Sequence, residues 1–183
     1  MNKIAMDLIE KLQPDNPWID SKYFKLKMSN ATAQGSWGEQ YVAETLRQEG
    51  HTVEIVTVPE YDLLVNDSIR VEVKFGMARI EKGKTLLDWI QWQHLWFDDR
   101  ADVFAFVGVN PDFSNYRVRA GWRDEVEELF VLYFTNEQLK KFALRTSLVQ
   151  DQGRQGSITS KAFLKRLDYC KDFRSFPVES SSQ

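Results

Sequence analysis

The sequence predicts an α/β domain with a mixed central β-sheet flanked by helices, and three observations carry the prediction. A helix-patterned stretch at 35–50 precedes three strand-patterned runs between residues 52 and 75. The nearly uninterrupted apolar run "ADVFAFVGV" at 101–109 has the character of a central strand covered on both faces. A second such run, "LFVLYF" at 129–134, is followed by the helical composition of "TNEQLKKFALRT", which opens on a Thr or Asn cap. The order is helix, three strands, helix, strand, strand, helix, with no internal repeat and no linker that would split 183 residues into two domains.

Residues 3–12 are expected to form a short amphipathic helix, with Ile4, Leu8, Ile9 and Leu12 on one side and Pro14 closing it. Residues 14–34 read as irregular, so 1–34 is an N-terminal helical extension. In "GSWGEQYVAETLRQEG" Ser36 is placed to cap a helix, with Glu39 three residues on and Gly50 as the stop. Trp37, Tyr41, Val42, Thr45 and Leu46 form its apolar stripe. Strands follow at about 52–58, 60–65 and 69–75, the last two joined by a turn at Asn66-Asp67-Ser68. After the basic loop "RIEKGK", a helix is expected over 85–98. It carries Trp89, Trp92 and Trp96 at i, i+3, i+7 spacing, a stripe suited to core or dimer packing. The α/β core thus spans 35–145. A polar loop, "QDQGRQGS", leads to a basic helix near 159–171 within a C-terminal segment at 146–175, and 176–183 reads as a disordered tail.

Composition narrows the class. Hydrophobic residues make up 43% and charged residues 28%, an ordinary balance for a folded domain in water. A net charge of −3 argues against indiscriminate coating of nucleic acid. The charge is uneven, however: residues 138–174 hold nine basic side chains against three acidic ones, and this segment can meet phosphates. The single cysteine, Cys170, excludes an internal disulfide and a cysteine-built zinc cage and matches a reducing compartment. The apolar N-terminal stretch is interrupted by Asp7 and Glu10 and reads as neither signal peptide nor span; the expected location is cytoplasmic.

The hairpin carries the chemistry. In "VEVKFG" at 71–76, Val71, Val73 and Phe75 alternate with Glu72 and Lys74. A three-residue loop at 66–68 pairs Val65 with Ile69, Leu63 with Val71 and Tyr61 with Val73, all apolar, whereas a one-residue slip would mix the faces. The opposite face then pairs Leu64 with Arg70, Asp62 with Glu72 and Glu60 with Lys74. Two carboxylates facing each other across strands repel. A hard divalent cation such as Mg²⁺ between them resolves the conflict, and Lys74 beside it can handle a water or a phosphate. The plain alternative is a Glu60–Lys74 surface ion pair with both acids turned into solvent.

These residues resemble the PD-(D/E)xK nuclease superfamily. "PEYD" at 59–62 is similar to the first half of its motif, with Asp62 as the acid and two residues inserted after Pro59. "EVK" at 72–74 matches the second half, and Glu39 stands where the family often adds a helix-borne glutamate. The resemblance covers about residues 35–109 and implies a restriction-endonuclease-like core. It implies that Asp62, Glu72 and the backbone carbonyl of Val73 hold Mg²⁺, with Mn²⁺ able to substitute. Lys74 would activate the attacking water, and Glu39 would serve as an outer or second-metal ligand. For Glu39 a second reading stands beside this one: Ser36-x-x-Glu39 is also a capping box. Gln91 and Gln93 lie where some members carry a substrate-contacting glutamine, although glutamines on a helix surface commonly meet only solvent. His51, expected to be exposed, and His94 have no partner at ligand spacing.

The function expected from the resemblance is metal-dependent hydrolysis of DNA phosphodiesters, of restriction, homing or phage type, leaving a 5′-phosphate. Phosphates would be gripped by Arg79, Lys82 and Lys84 after the motif and by Arg154, Lys161, Lys165 and Arg166 in the basic C-terminal segment. Cutting both strands calls for two sites, hence a homodimer, with the N-terminal helix or the tryptophan row as its contact. The alternatives are a junction-resolving nuclease and a nuclease-like subunit that binds nucleic acid without turnover.

Overall fold

The computed structural model describes residues 18–80, 87–96, 100–111, 128–140, 155–159 and 173. A mixed five-stranded sheet packs against one long helix. After a short helix α1 (Phe24–Lys27), the long helix α2 runs from Ala31 to Gln48. Its N-cap is Asn30, whose side-chain oxygen accepts the Ala33 N–H at 2.8 Å, so it begins five residues before Ser36. The expected irregular stretch at 14–34 is therefore partly helical, and Ser36-x-x-Glu39 lies inside the helix, where it cannot act as a capping box. The C-terminus closes at Gly50, which takes a φ of 95° that a side chain would resist.

The sheet order is β1 (Val53–Ile55), β2 (Leu63–Val65), β3 (Ile69–Met77), β7 (Val103–Val109), β8 (Leu129–Thr135). The hairpin has the predicted register: Leu63 pairs with Val71, Leu64 with Arg70 and Val65 with Ile69. No glycine is needed in its loop because Asn66 and Asp67 adopt φ values of 51° and 58°, which short polar side chains tolerate. Strand β3 then runs parallel to β7, and β7 antiparallel to β8, which makes the sheet mixed. Arg70 and Asp102 clamp the start of that parallel pair through a two-pronged ion pair. Strand β7 is buried throughout, as its apolar run predicts. Past β8, residues 136–140 are helical and Thr135 is the cap: its hydroxyl accepts the Gln138 N–H, while the Gln138 side chain accepts the Thr135 N–H.

Each sheet face has its own core. Val42, Ala43 and Leu46 of α2 cover Leu63, Val65, Val71, Val73, Val103, Ala105 and Val107. On the other face Phe104, Phe106, Phe130, Leu132 and Phe134 meet Ile90, Trp92 and Leu95.

The last three residues do not belong to a helix. The segment expected to be helical over 85–98 forms β5 (Leu87–Trp89), paired with β4 (Arg79–Ile80), and β6 (Gln91–Trp96), paired with β9 (Gln155–Thr159). Strand β9 likewise replaces part of the expected polar loop. The physical reason is visible at Trp92. It is 1% exposed, lies edge-on to Phe106 and donates its indole N–H to the Val107 carbonyl at 2.8 Å. Ile90 and Trp92 are buried at period two, and an irregularity at His94, φ 58°, resets the alternation so that Leu95 is buried as well. The i, i+3, i+7 tryptophan spacing thus imitated a helix. Trp92 is consumed by the core and offers nothing to a dimer contact. The first helix, the basic C-terminal helix and the tail fall outside the described residues. Among the described residues, no helix is long and apolar enough to cross a membrane.

Candidate active site

Strand β3 is longer than its partner β2, and the candidate residues gather where β2 ends. The ladder stops at Leu63–Val71, while β3 continues to Met77 paired, among the described residues, with β7 alone. Asp62 bridges the step. Its N–H donates to the Val71 carbonyl at 3.0 Å, and its carboxylate accepts the Val73 N–H at 2.7 Å. A side chain has taken the place of the next backbone acceptor, so the carboxylate is fixed on the edge of β3 between Glu72 and Lys74.

Alternation sends Val71 and Val73 toward α2 and leaves Glu72 and Lys74 on the opposite face, in register with Phe104 and Phe106 of β7. That placement shields them: their side chains are 15% and 16% exposed and form an ion pair with each other. Lys74 therefore pairs within its own strand, and the cross-strand Glu60–Lys74 pair is not formed; Glu60 is exposed.

Glu39 completes the group from α2. Burial is the main cause that pushes its carboxyl above the ordinary range; the charge of Asp62 adds to this and Lys74 opposes it. Asp62 is likewise pushed up by burial, against the pull of the Val73 N–H and of Lys74. Glu72 is pushed up by burial first. Lys74 offsets this, while Asp62 and Glu39 reinforce it. Among the described residues, three acids thus share one neighbourhood with a single lysine, and all three hold their charge less readily than in water. With the capping-box role removed, the placement of Glu39 beside this group is what distinguishes it from other helix-surface glutamates.

As donors, the three carboxylates and the backbone around Val73 are hard oxygens, the set that suits Mg²⁺ or Mn²⁺. The shortage of positive charge fits a divalent cation. They do not form a ready-made cage: among the described residues no three His, Cys, Asp or Glu side chains are placed together to hold a metal ion. The ammonium of Lys74 is bound to the Glu72 carboxylate that a metal would need.

A cleft of about 320 Å³ lies beside the far end of β3, bordered by Phe75, Gly76 and Met77. Arg79, Gln91 and Gln93 all line it, so three of the predicted phosphate- or substrate-contacting residues are brought together, with the glutamines on β6 rather than on a helix. Lys27, Gln34 and His94 line it too. Sequence reasoning missed these because Lys27 and Gln34 precede the recognised motif and His94 belonged to an expected helix. Lys82, Lys84, Arg154, Lys161, Lys165 and Arg166 fall outside the described residues. His51 is half-buried rather than exposed, with Nδ1 3.1 Å from the Asn66 side-chain nitrogen and its ring against Phe173.

No protein-family model matches the chain, and neither a curated protein nor a solved structure matches it.

Proposed function

We propose that this chain is a metal-dependent endonuclease that hydrolyses DNA phosphodiesters, with a restriction-endonuclease-like core. One observation carries the reading: Glu39, Asp62, Glu72 and Lys74 form one electrostatically coupled group on and beside the stretch of β3 that runs past the end of β2. Chance hairpin acids would face solvent. Here burial disfavours the charge of each, a pattern that marks functional acids.

In this reading Asp62, Glu72 and the Val73 carbonyl hold Mg²⁺ or Mn²⁺, with Glu39 as an outer or second ligand. The bound ion would polarise the scissile phosphate and acidify a water. Lys74 releases Glu72 and turns its ammonium to the water and the departing charge. Asp62 stays anchored to the Val73 N–H, which keeps its free oxygen in place. Arg79, Gln91 and Gln93 hold the adjoining stretch of the attacked strand through phosphate and base-edge contacts. Two chains would supply the two sites that cutting a duplex requires.

A second reading, a nucleic-acid-binding module without turnover, draws on the lack of a three-acid cage among the described residues and on the Lys74–Glu72 pair that closes the site. The deciding experiment is cleavage of supercoiled plasmid, linear duplex, single strand, four-way junction and RNA with Mg²⁺, Mn²⁺ or EDTA. Lys74→Ala serves as the control. Metal-dependent cutting that disappears in the variant supports the nuclease, and the preferred substrate names its class. Binding without cutting under every metal leaves the module.

A further inference from the structure

We propose that the cleft lined by Lys27 and Arg79 is a phosphate-binding subsite, sized for one nucleotide, that holds the phosphate adjacent to the one attacked. The proposal rests on the nuclease reading for the word "adjacent" and on the cleft itself for the ligand class.

The charge of the lining comes first. Lys27 and Arg79 reach the cleft from α1 and β4, far apart in the chain, and no carboxylate lines it among the described residues. Lys27 is half-buried, with its ammonium 5.0 Å above the Trp18 ring and 3.4 Å from the Ala78 carbonyl, and it makes no ion pair among the described residues. Burial and then the charge of Arg79 make this lysine give up its proton more readily than usual. Two cations brought together in this way are stabilised by an anion between them.

The position of Lys27 is built. The Gln34 side-chain N–H₂ donates to the carbonyls of Leu26, Lys27 and Ser29 at 3.1, 3.3 and 3.2 Å, tying the turn that carries Lys27 to the first turns of α2. Gln34 is thus a positioning residue. The volume of about 320 Å³ sits at the lower end of the range of about 300–1,000 Å³ for small-ligand sites, which suits one nucleotide. Gln91, Gln93 and His94 add polar groups able to meet a base edge or sugar, and Phe75 and Met77 give an apolar wall. Gly76, at the border of the cleft, lies two residues past Lys74, about 6.6 Å along β3. Successive phosphates of one strand are separated by a distance of that order.

The test is calorimetric titration of the full chain, carrying Lys74→Ala to remove turnover, with inorganic phosphate and with thymidine monophosphate in the absence of metal. Both should bind, the nucleotide more tightly. Lys27→Met keeps the stem over Trp18 and removes the charge; it and Arg79→Gln should each weaken binding tenfold or more. Lys22→Ala, which removes an exposed lysine paired with Glu128, should leave binding unchanged. A background chain that binds neither probe at millimolar concentration, or folded Lys27→Met and Arg79→Gln variants with undiminished affinity, overturns the subsite. Absence of metal-dependent cleavage would instead remove the nuclease reading while leaving this binding result intact.

Discussion

The carboxylate of Asp62 accepts the backbone N–H of Val73, the residue between Glu72 and Lys74, at 2.7 Å. One side chain thereby does two things: it extends the pairing of β3 past the end of β2, and it holds a charged oxygen beside the other two acids. The roles separate by substitution. Asp62→Asn retains an oxygen acceptor for the Val73 N–H and should fold with little loss. Asp62→Ala strands that N–H and should lose about 1–3 kcal/mol in urea unfolding. Both should be inactive in cleavage. Equal stability of the two variants would show that the hydrogen bond contributes nothing.

Lys74 and Glu72 make the second prediction. Their ion pair is mostly buried, so the ammonium competes with any metal for the Glu72 carboxylate. Lys74→Ala should lower the cleavage rate by about 10²–10⁴, the usual scale for a lost acid–base group. It should also tighten Mn²⁺ binding, because the internal competitor is gone. Calorimetry reads the second effect independently of turnover. Weaker Mn²⁺ binding in the variant would mean that the metal does not use Glu72.

How much of this was legible in the sequence differs from element to element. The hairpin register could be read because Leu63, Val65, Ile69 and Val71 fall on one face in only one alignment. The central strand could be read because 103–109 is apolar at nearly every position. The start of α2 was hidden by Ser36-x-x-Glu39, a local imitation of a cap, while Asn30 performed the function without a following glutamate. Strand β6 was hidden by the tryptophan spacing and by an irregularity at His94 that no local pattern announces. Of the site, Asp62, Glu72 and Lys74 follow from alternation. The deviation of Asp62 from a plain cross-strand pair and the meeting of Lys27 with Arg79 are tertiary facts, set by where β2 ends and where α1 docks.

The acids also fix a pH dependence. Burial raises the folded-state pKa of Glu39, Asp62 and Glu72. The folded chain therefore holds these protons more tightly than the unfolded chain does. The contribution of these groups to stability falls as pH rises from their unfolded values near 4 through their raised folded values. Below the unfolded values both states are protonated and the penalty vanishes. The difference in Tm between the wild type and a Glu39→Gln, Asp62→Asn, Glu72→Gln triple variant should thus shift in favour of the variant as pH rises above about 4. Mg²⁺ should raise the wild-type Tm once the pH has passed the raised folded values and have no effect below the unfolded ones, because ligation requires the ionised acids. A Mg²⁺ effect independent of pH would separate metal binding from these carboxylates.

A final prediction concerns what holds β6 over the sheet. Gly76 and Gly108 are register partners on β3 and β7, and large side chains lie directly on them. A Cβ at Gly108 would sit 2.2 Å from the tip of Phe130, and one at Gly76 would sit 2.6 Å from Ile90 and 2.9 Å from the Trp92 indole nitrogen. The rung is bare because the second layer needs that space. Gly108→Ala and Gly76→Ala should each destabilise by about 1–3 kcal/mol through overpacking. Gly35→Ala, in α2 with nothing within 4 Å of the added carbon, should stabilise by up to about 1 kcal/mol. Gly76→Ala should do more than destabilise. It pushes on Trp92, which donates to Val107, and Trp92 sits between Gln91 and Gln93 at the edge of the cleft. Phosphate affinity should therefore fall in Gly76→Ala and hold in Gly108→Ala at matched stability. Equal affinities would mean that β6 can shift without carrying its glutamines.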